Sequence, residues 1–303
     1  MPIMKVSILG TNGFLSNAIA AYCNRKGWHL YMYGRTLPQL KIKYDSYYEI
    51  DLMTSDLDCS LLADSDIIVY AVGAGIQSNI DDNSKSIYSL NVAVPISICN
   101  DLKKINYSGT IVTFGSYFEL GKRSVTEPAT EQEVLETLNP TASDYILSKR
   151  LLTRFVSCYT HRFNHWHFVL PTIYGAGENS NRLIPYTIKS IKNGRTPNYT
   201  SGIQIRQYLN VKNVPQVIDA AYCANLTSGI YNISGNEILT IKDIVGIIYK
   251  TMGKDVDERS FGICTKNDME MPYLALNGQK LDSLIKHSAS GSIVNSINEY
   301  LCY

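Results

Sequence analysis

Tyr145 and Lys149 lie four residues apart in the stretch DYILSK. On a helix that spacing sets both side chains on one face. A phenol with an ordinary pKa of about 10 is a poor proton source or sink at neutral pH. A neighbouring ammonium favours the phenolate and brings that pKa toward the working range. Ser116 closes the apolar run GTIVTFGS, at a strand end from which its hydroxyl can hydrogen-bond a reacting carbonyl oxygen. Three such groups suit proton transfer at a carbonyl or alcohol oxygen. In a chain with 22 tyrosines a Tyr-x-x-x-Lys pair also arises by chance, so its meaning depends on the elements that hold it.

Those elements alternate. Strands are expected at 5–10, 29–34, 47–52, 66–73, 109–116 and 165–171, and helices at 14–27, 87–105 and 145–159, with Pro95 bending the second helix or sitting where packing tolerates it. Buried strands alternating with helices predict βαβ units and a parallel, doubly wound sheet. After Pro171 loops rich in Gly, Asn and Ser separate helical pieces near 182–193, 213–225 and 240–252 from the strand-like runs IRQYLNV and GIYNIS. The expected α/β chain therefore has a nucleotide domain over 1–171. A smaller α/β lobe over 172–303 covers the sheet edge where open α/β folds bind ligands, and some of its segments return to the first domain.

The first strand runs into GTNGFLS, Gly10 to Ser16, and then a helix. Gly10 permits the tight turn, and Gly13 lets the backbone approach a pyrophosphate where free N–H groups and the helix dipole favour anions. Ser16 holds the position where a small residue allows close helix–strand packing. A strand before the turn and a helix after it make this a candidate dinucleotide cradle rather than a plain βα turn.

Composition excludes several classes. With 45% hydrophobic residues, 18% charged and a net charge of +1, no strong field favours nucleic acid or an anionic membrane. No run of about 18 apolar residues suggests a membrane span, and MPIMKVSILG does not read as a signal peptide. Seven scattered cysteines without a C-x-x-C pair fit reduced thiols in a cytoplasm. His161, His165 and His167 cluster in HRFNHWHF, but no carboxylate or thiolate stands beside them in the sequence, so no metal site is expected.

Taken in order, these features resemble the extended short-chain dehydrogenase/reductases that act on nucleotide sugars. The resemblance rests on GTNGFLS, Asp51 at the third strand's end, AVGAG, Asn91 in a helix, Ser116 after the fifth strand, and Pro140 before YILSK. TIYGAGENSNRLIPY (172–186), GIQIRQYLNV (202–211), YNISGNE and LALNGQKL extend it through the last third. It implies a Rossmann-type domain in which Tyr145 is the acid/base, Lys149 lowers its pKa and holds the nicotinamide ribose, and Ser116 meets the carbonyl. It further implies that Gly10, Asn12, Gly13, Phe14 and Leu15 line the pyrophosphate, that Asp51 and Leu52 approach the adenine, and that Ala71, Val72, Gly73 and Thr172 also meet the cofactor. Asn91 would order the active-site backbone. Tyr117, Asn181, Arg182 and Leu183 would meet the sugar nucleotide, and Arg206 would grip its phosphates as a fork of donors. A homodimer through the Tyr145 helix and the long helix before it is implied as well.

The chain departs from the family in places. Gln207 and Asn213 stand where many relatives carry aspartates, Val169 and Thr172 where arginine and asparagine are usual, and FGSYFELG lacks the usual Ser-Ser spelling. Relatives that prefer NAD end the second strand in Asp or Glu, which accepts from the ribose 2′-hydroxyl. YMYGRT ends instead in Gly34, Arg35 and Thr36, which leave room and donors for a 2′-phosphate. The expected cofactor is therefore NADP(H). An exchangeable hydride donor in turn favours a reductase of the 4-keto group of a nucleotide-linked 6-deoxysugar. Phe118 and Gly177 replace the cysteine and histidine of the dual epimerase-reductases, and Tyr117 and Phe118 replace the acidic pair of dehydratases. CDP-abequose and CDP-paratose synthases and dTDP-fucose-forming reductases, which serve bacterial surface polysaccharide such as O-antigen, are similar over about forty residues; a CDP- or dTDP-linked sugar is the expected substrate. An NAD-dependent epimerase and a non-catalytic dinucleotide-binding regulator remain as alternatives.

Overall fold

The computed structural model describes residues 3–75, 83–141, 143–264, 271–287 and 291–302. Among these, seven parallel strands form the main sheet in the order β3-β2-β1-β4-β5-β6-β9. They are β1 (Lys5–Leu9), β2 (His29–Gly34), β3 (Ser46–Glu49), β4 (Ile67–Tyr70), β5 (Thr110–Ser116), β6 (Asn164–Leu170) and β9 (Gly229–Asn232). The helices of the first part are α1 (Phe14–Lys26), α2 (Ser84–Tyr88), α3 (Val94–Lys104), α4 (Glu131–Glu136) and α5 (Asp144–Cys158). The strand order reverses between β1 and β4, and the crevice at such a switch point is where ligands bind. This is the expected Rossmann-like α/β fold.

Apolar side chains on both faces hold the sheet. Ile8, Leu30, Met32, Val69, Val112 and Phe168 are buried on one side; Leu9, Ile68, Tyr70 and Ile111 are buried on the other. Each such side chain contributes about 1.5–3 kcal/mol by leaving water. Burial of β5 at every position, Thr110 and Thr113 included, is what a central strand covered on both faces shows.

A second sheet is built on β8 (Ile205–Asn210). β10 (Glu237–Thr240) pairs with it antiparallel, and β7 (Thr172–Tyr174) and β11 (Tyr273–Leu274) pair parallel. Helices α6 (Leu183–Lys192), α8 (Ile241–Thr251) and α10 (Ile293–Cys302) pack on it, while α7 (Asn213–Cys223) lies against α1 and α9 (Gln279–Leu284) against the main core. The run GIYNIS belongs to the main sheet as β9, because burial of Ile230 and Tyr231 needs the free side of β6. The helix expected at 87–105 is two helices joined by a π-helical turn, Ser89–Ala93. Pro95 falls in the first turn of α3, where its missing N–H costs little. No helix among the described residues is long and apolar enough to cross a membrane.

Candidate active site

The carboxyl end of β5 delivers Ser116 into a 3-10 turn, Tyr117–Leu120, that it caps with its own side chain. Its Oγ accepts from the Phe118 N–H at 3.3 Å, and its N–H donates to Glu119 Oε1 at 2.7 Å. Ser143 caps α5 by accepting from the Ile146 N–H, so Tyr145 and Lys149 lie one turn apart on that helix and face the same cleft. The Tyr145 phenol is hydrogen-bonded to the Ser116 side chain. Lys149 Nζ donates to the Phe114 carbonyl at 3.0 Å and stands 5.9 Å from the Tyr145 ring centroid. The three side chains therefore share one end of a cleft of about 320 Å³.

Electrostatics here differ from the sequence expectation in one respect. Burial pushes Tyr145 up to about 12, against the Ser116 hydrogen bond that lowers it. Burial also pulls Lys149 down to about 8, with Glu119 opposing. Desolvation outweighs the Ser116 hydrogen bond and the Arg182 charge, so the phenol stays on the protonated side. Glu119, which sequence reasoning missed, lies fully buried beneath this site. Burial pushes it up to about 7, against hydrogen bonds from Thr153 and Ser116. A Cβ on Gly115 would stand 2.7 Å from Glu119 Oε1 and from His167 Nε2. The Gly-Ser spelling in place of Ser-Ser thus makes room for a carboxylate, the one signal that pointed to it.

At the other end of the cleft Gly10, with φ +104°, turns so tightly that a Cβ would meet the Ala71 carbonyl at 3.3 Å. Gly13 precedes α1 without a side-chain cap, leaving the first-turn N–H groups free for an anion. Gly13, Phe14, Leu15, Ala71, Val72, Gly73 and Thr172 line the same cleft as Ser116, Tyr145 and Lys149. These residues fit a dinucleotide: a bare backbone cradle for the pyrophosphate leads to an enclosed end for the nicotinamide. Asn91 braces this wall from the π-helical turn, accepting from the Ala74 N–H and donating to the Ala74 carbonyl and to Ser148 Oγ on α5.

Residues 6–234 match the NAD dependent epimerase/dehydratase family. The chain belongs to that family. A dTDP-glucose 4,6-dehydratase of Streptomyces griseus is 31% identical over 83 residues, 27% of this chain, and the match spans only a quarter of that relative's length (25%). Among solved structures, UDP-glucuronic acid 4-epimerase of Bacillus cereus with UDP-glucuronic acid and NAD superposes with a TM-score of 0.82 at 17% identity, over 99% of both chains. The dTDP-glucose 4,6-dehydratase of Bacillus anthracis with NAD gives 0.79 at 18% identity, over 99% of this chain and 96% of the other. The Bordetella bronchiseptica enzyme WbmG with NAD and UDP gives 0.78 at 16%, over 99% and 94%. At these identities the superpositions establish the shared fold.

The family's remaining positions are not all in the cleft. Arg35 and Thr36 follow β2 on the exposed surface, and Arg35 has no ion-pair partner among the described residues. Gly34 is required locally, since a Cβ there would stand 2.6 Å from Thr11 Oγ1. Asn12 spends its amide on the same loop, donating to Thr36 Oγ1 and the Leu37 carbonyl and accepting from the Gln39 N–H. Asp51 accepts from the Met53 N–H and closes its own turn, while Leu52 packs on the core beside β4.

Tyr117 is fully buried and hydrogen-bonded to Thr172 Oγ1, because the turn that Ser116 caps swings residue 117 inward and leaves Phe118 in the cleft. Asn181 and Arg182 line the cleft mouth, Arg182 paired with Glu178 at 2.9 Å. Leu183 instead starts α6 and packs in the second lobe. Arg206 is buried outside the cleft, donating to the Ile205 and Met271 carbonyls, so its guanidinium serves the lobe's own backbone in this geometry. Gln207 donates to the Gly235 and Leu276 carbonyls and accepts from the Leu276 N–H, and Asn213 donates to the Asn210 carbonyl. An ionised aspartate could not donate to these carbonyls, which accounts for both departures.

Proposed function

We propose that the chain reduces the 4-keto group of a nucleotide-linked 4-keto-6-deoxyhexose, with NADPH as hydride source. The observation that carries this reading is the convergence of Ser116, Tyr145 and Lys149 on one cleft, where a phenol that burial keeps on the protonated side can give its proton to a carbonyl oxygen. A dinucleotide held by Gly13, Phe14, Leu15 and Ala71 would supply the hydride for the carbonyl carbon. As charge develops on the oxygen, Ser116 Oγ donates a hydrogen bond to it and Tyr145 transfers its proton. The Lys149 charge then favours the phenolate left behind.

Arg35 supports the NADPH assignment: an exposed cation at the end of β2 with no carboxylate neighbour on its own strand can pair with a 2′-phosphate. Arg182 and Asn181 at the mouth supply donors for a sugar nucleotide, with a CDP- or dTDP-linked sugar favoured and Tyr117, Leu183 and Arg206 acting from behind. The family's NAD-bound neighbours favour an epimerase as the second reading. A panel of CDP-, dTDP-, GDP- and UDP-4-keto-6-deoxysugars, each offered NADPH and NADH, tests the proposal; loss of reduced-nicotinamide absorbance with one of them supports it. Leu147 and Leu151, 41% and 42% exposed and four apart on α5, give that helix an apolar stripe across which two copies would pair. Light scattering should then find a dimer, converted to monomer by Leu147→Glu with Leu151→Glu.

A further inference from the structure

The histidines of HRFNHWHF have a thiol beside them after all, supplied from α3. Cys99 Sγ lies 4.0 Å from His165 Nδ1, across 66 residues of sequence, and a donor atom from each of Cys99, His161 and His165 lies within 4.8 Å of the others. Both ring nitrogens of His161 are buried without a hydrogen-bond partner. The ring is held by stacking on Phe163, with centroids 4.4 Å apart and an interplanar angle of 11°. Leaving buried imidazole nitrogens unpaired costs stability, a cost that ligation would remove. A cavity of about 380 Å³ lined by His161, His165, Ser157 and Tyr159 gives access.

The hydrogen bonds behind His165 fix which of its nitrogens is bare. Thr153 Oγ1 donates to Glu119 Oε2 at 2.6 Å, in preference to the Lys149 carbonyl at 3.1 Å. With Glu119 ionised, the one proton of Thr153 is committed, and Thr153 accepts from His167 Nε2 at 2.9 Å. His167 Nδ1 then accepts from the Thr113 hydroxyl at 2.8 Å, and Thr113 in turn accepts from His165 Nε2 at 2.8 Å. The last link leaves the lone pair of His165 on Nδ1, toward Cys99 and His161. A hydrogen bond that fixes the tautomer of a ligating histidine in this way is a regular feature of metal sites.

We propose that Cys99, His161 and His165 form a binding site for a zinc-class ion, polarised by the hydrogen-bond chain that starts at Glu119 under Ser116. One thiolate and two imidazoles suit zinc, with water from the cavity in the fourth position. Bonds of about 2.3 Å to sulfur and about 2.0–2.1 Å to nitrogen together exceed the 4.0 Å separating Sγ from Nδ1, so one ion reaches both. The remaining contraction falls on His161. Binding displaces the Cys99 proton to solvent and changes no oxidation state.

The test strips the whole protein with a chelator. Zinc(II) is then titrated against a chromophoric competitor, and cobalt(II) is added in parallel as a probe of thiolate ligation. One equivalent should bind per chain, with a cobalt–thiolate charge-transfer band. Cys99→Ser should abolish the band. Thr113→Val, which supplies no ligand atom but removes the hydrogen-bond partner of His165 Nε2, should weaken zinc by about 10–100-fold, while Cys223→Ser at an exposed cysteine leaves it unchanged. Circular dichroism of the stripped variants separates lost ligation from lost folding. The proposal is overturned if no equivalent binds to the wild type, if the band survives Cys99→Ser, or if folded Thr113→Val binds zinc as the wild type does.

Discussion

At one end of the cleft Ser116, Tyr145 and Lys149 are enclosed and cross-linked to Glu119, Thr153 and the Phe114 carbonyl. Outside it, Arg35 and Thr36 stand in solvent after β2, on a loop held through Asn12 and Thr11. The chemical end is built before any ligand arrives, so its hydrogen bonds cost no reorganisation during reaction. On the proposed reading, the Arg35 loop would form its contact with the cofactor only when a 2′-phosphate is present. Substitutions at the enclosed end should therefore act on kcat, and those at the open end on KM for the dinucleotide.

The sharpest way to break this contrast is Tyr145→Phe. Loss of the proton donor should lower kcat by about 10²–10⁴-fold with the dinucleotide still bound, as checked by fluorescence titration; an unchanged rate would remove Tyr145 from the chemistry. Arg35→Glu should raise KM for NADPH by about 10–100-fold, the equivalent of the roughly 1.5–3 kcal/mol carried by a hydrogen bond to a charged group, and leave KM for NADH nearly unchanged. Glu119→Gln keeps the shape but loosens the anchor of Ser116. Steady-state kinetics should show kcat down about tenfold, within the roughly 10²-fold cost of a 1 Å misplacement, and little change in KM.

The smallest effect is a pH limb. Burial holds Lys149 near 8, and its cationic form is the one that stabilises the phenolate left after proton transfer. kcat/KM for reduction should hold below that pH and fall above it as the ammonium is lost. In Lys149→Met the overall rate should be lower and the limb absent.

The same contrast governs what the chain discloses in its sequence. The cradle is local: Gly10, Gly13 and the helix behind them occupy consecutive positions, so turn geometry and pattern place them together. Tyr145 and Lys149 share one helix, and Ser116 ends a strand whose direction is set by the fold. Tyr117 could not be placed in this way, because whether a residue after Ser116 faces the cleft depends on the capped turn and not on strand alternation. The π-helical turn is likewise invisible in apolar periodicity, yet it aims Asn91 at Ala74 and Ser148. Nothing in FGSYFELG singles out Glu119, and only the packing of Gly115, Thr153 and His167 around it shows why it is buried. Arg206 was read as a phosphate fork, but its partners are carbonyls supplied by Ile205 and by the distant Met271. Cys99 meets His165 through the stacking of α3 against β5 and β6, a contact no spacing encodes.

The central claim is net reduction, and it is tested most directly by stoichiometry. The purified protein is given one 4-keto-6-deoxysugar nucleotide from the reactive class and a measured amount of NADPH, and both products are quantified. The account predicts one NADP⁺ formed for each sugar converted to the 4-hydroxy product. Interconversion of sugar epimers with no net consumption of reduced cofactor would contradict it.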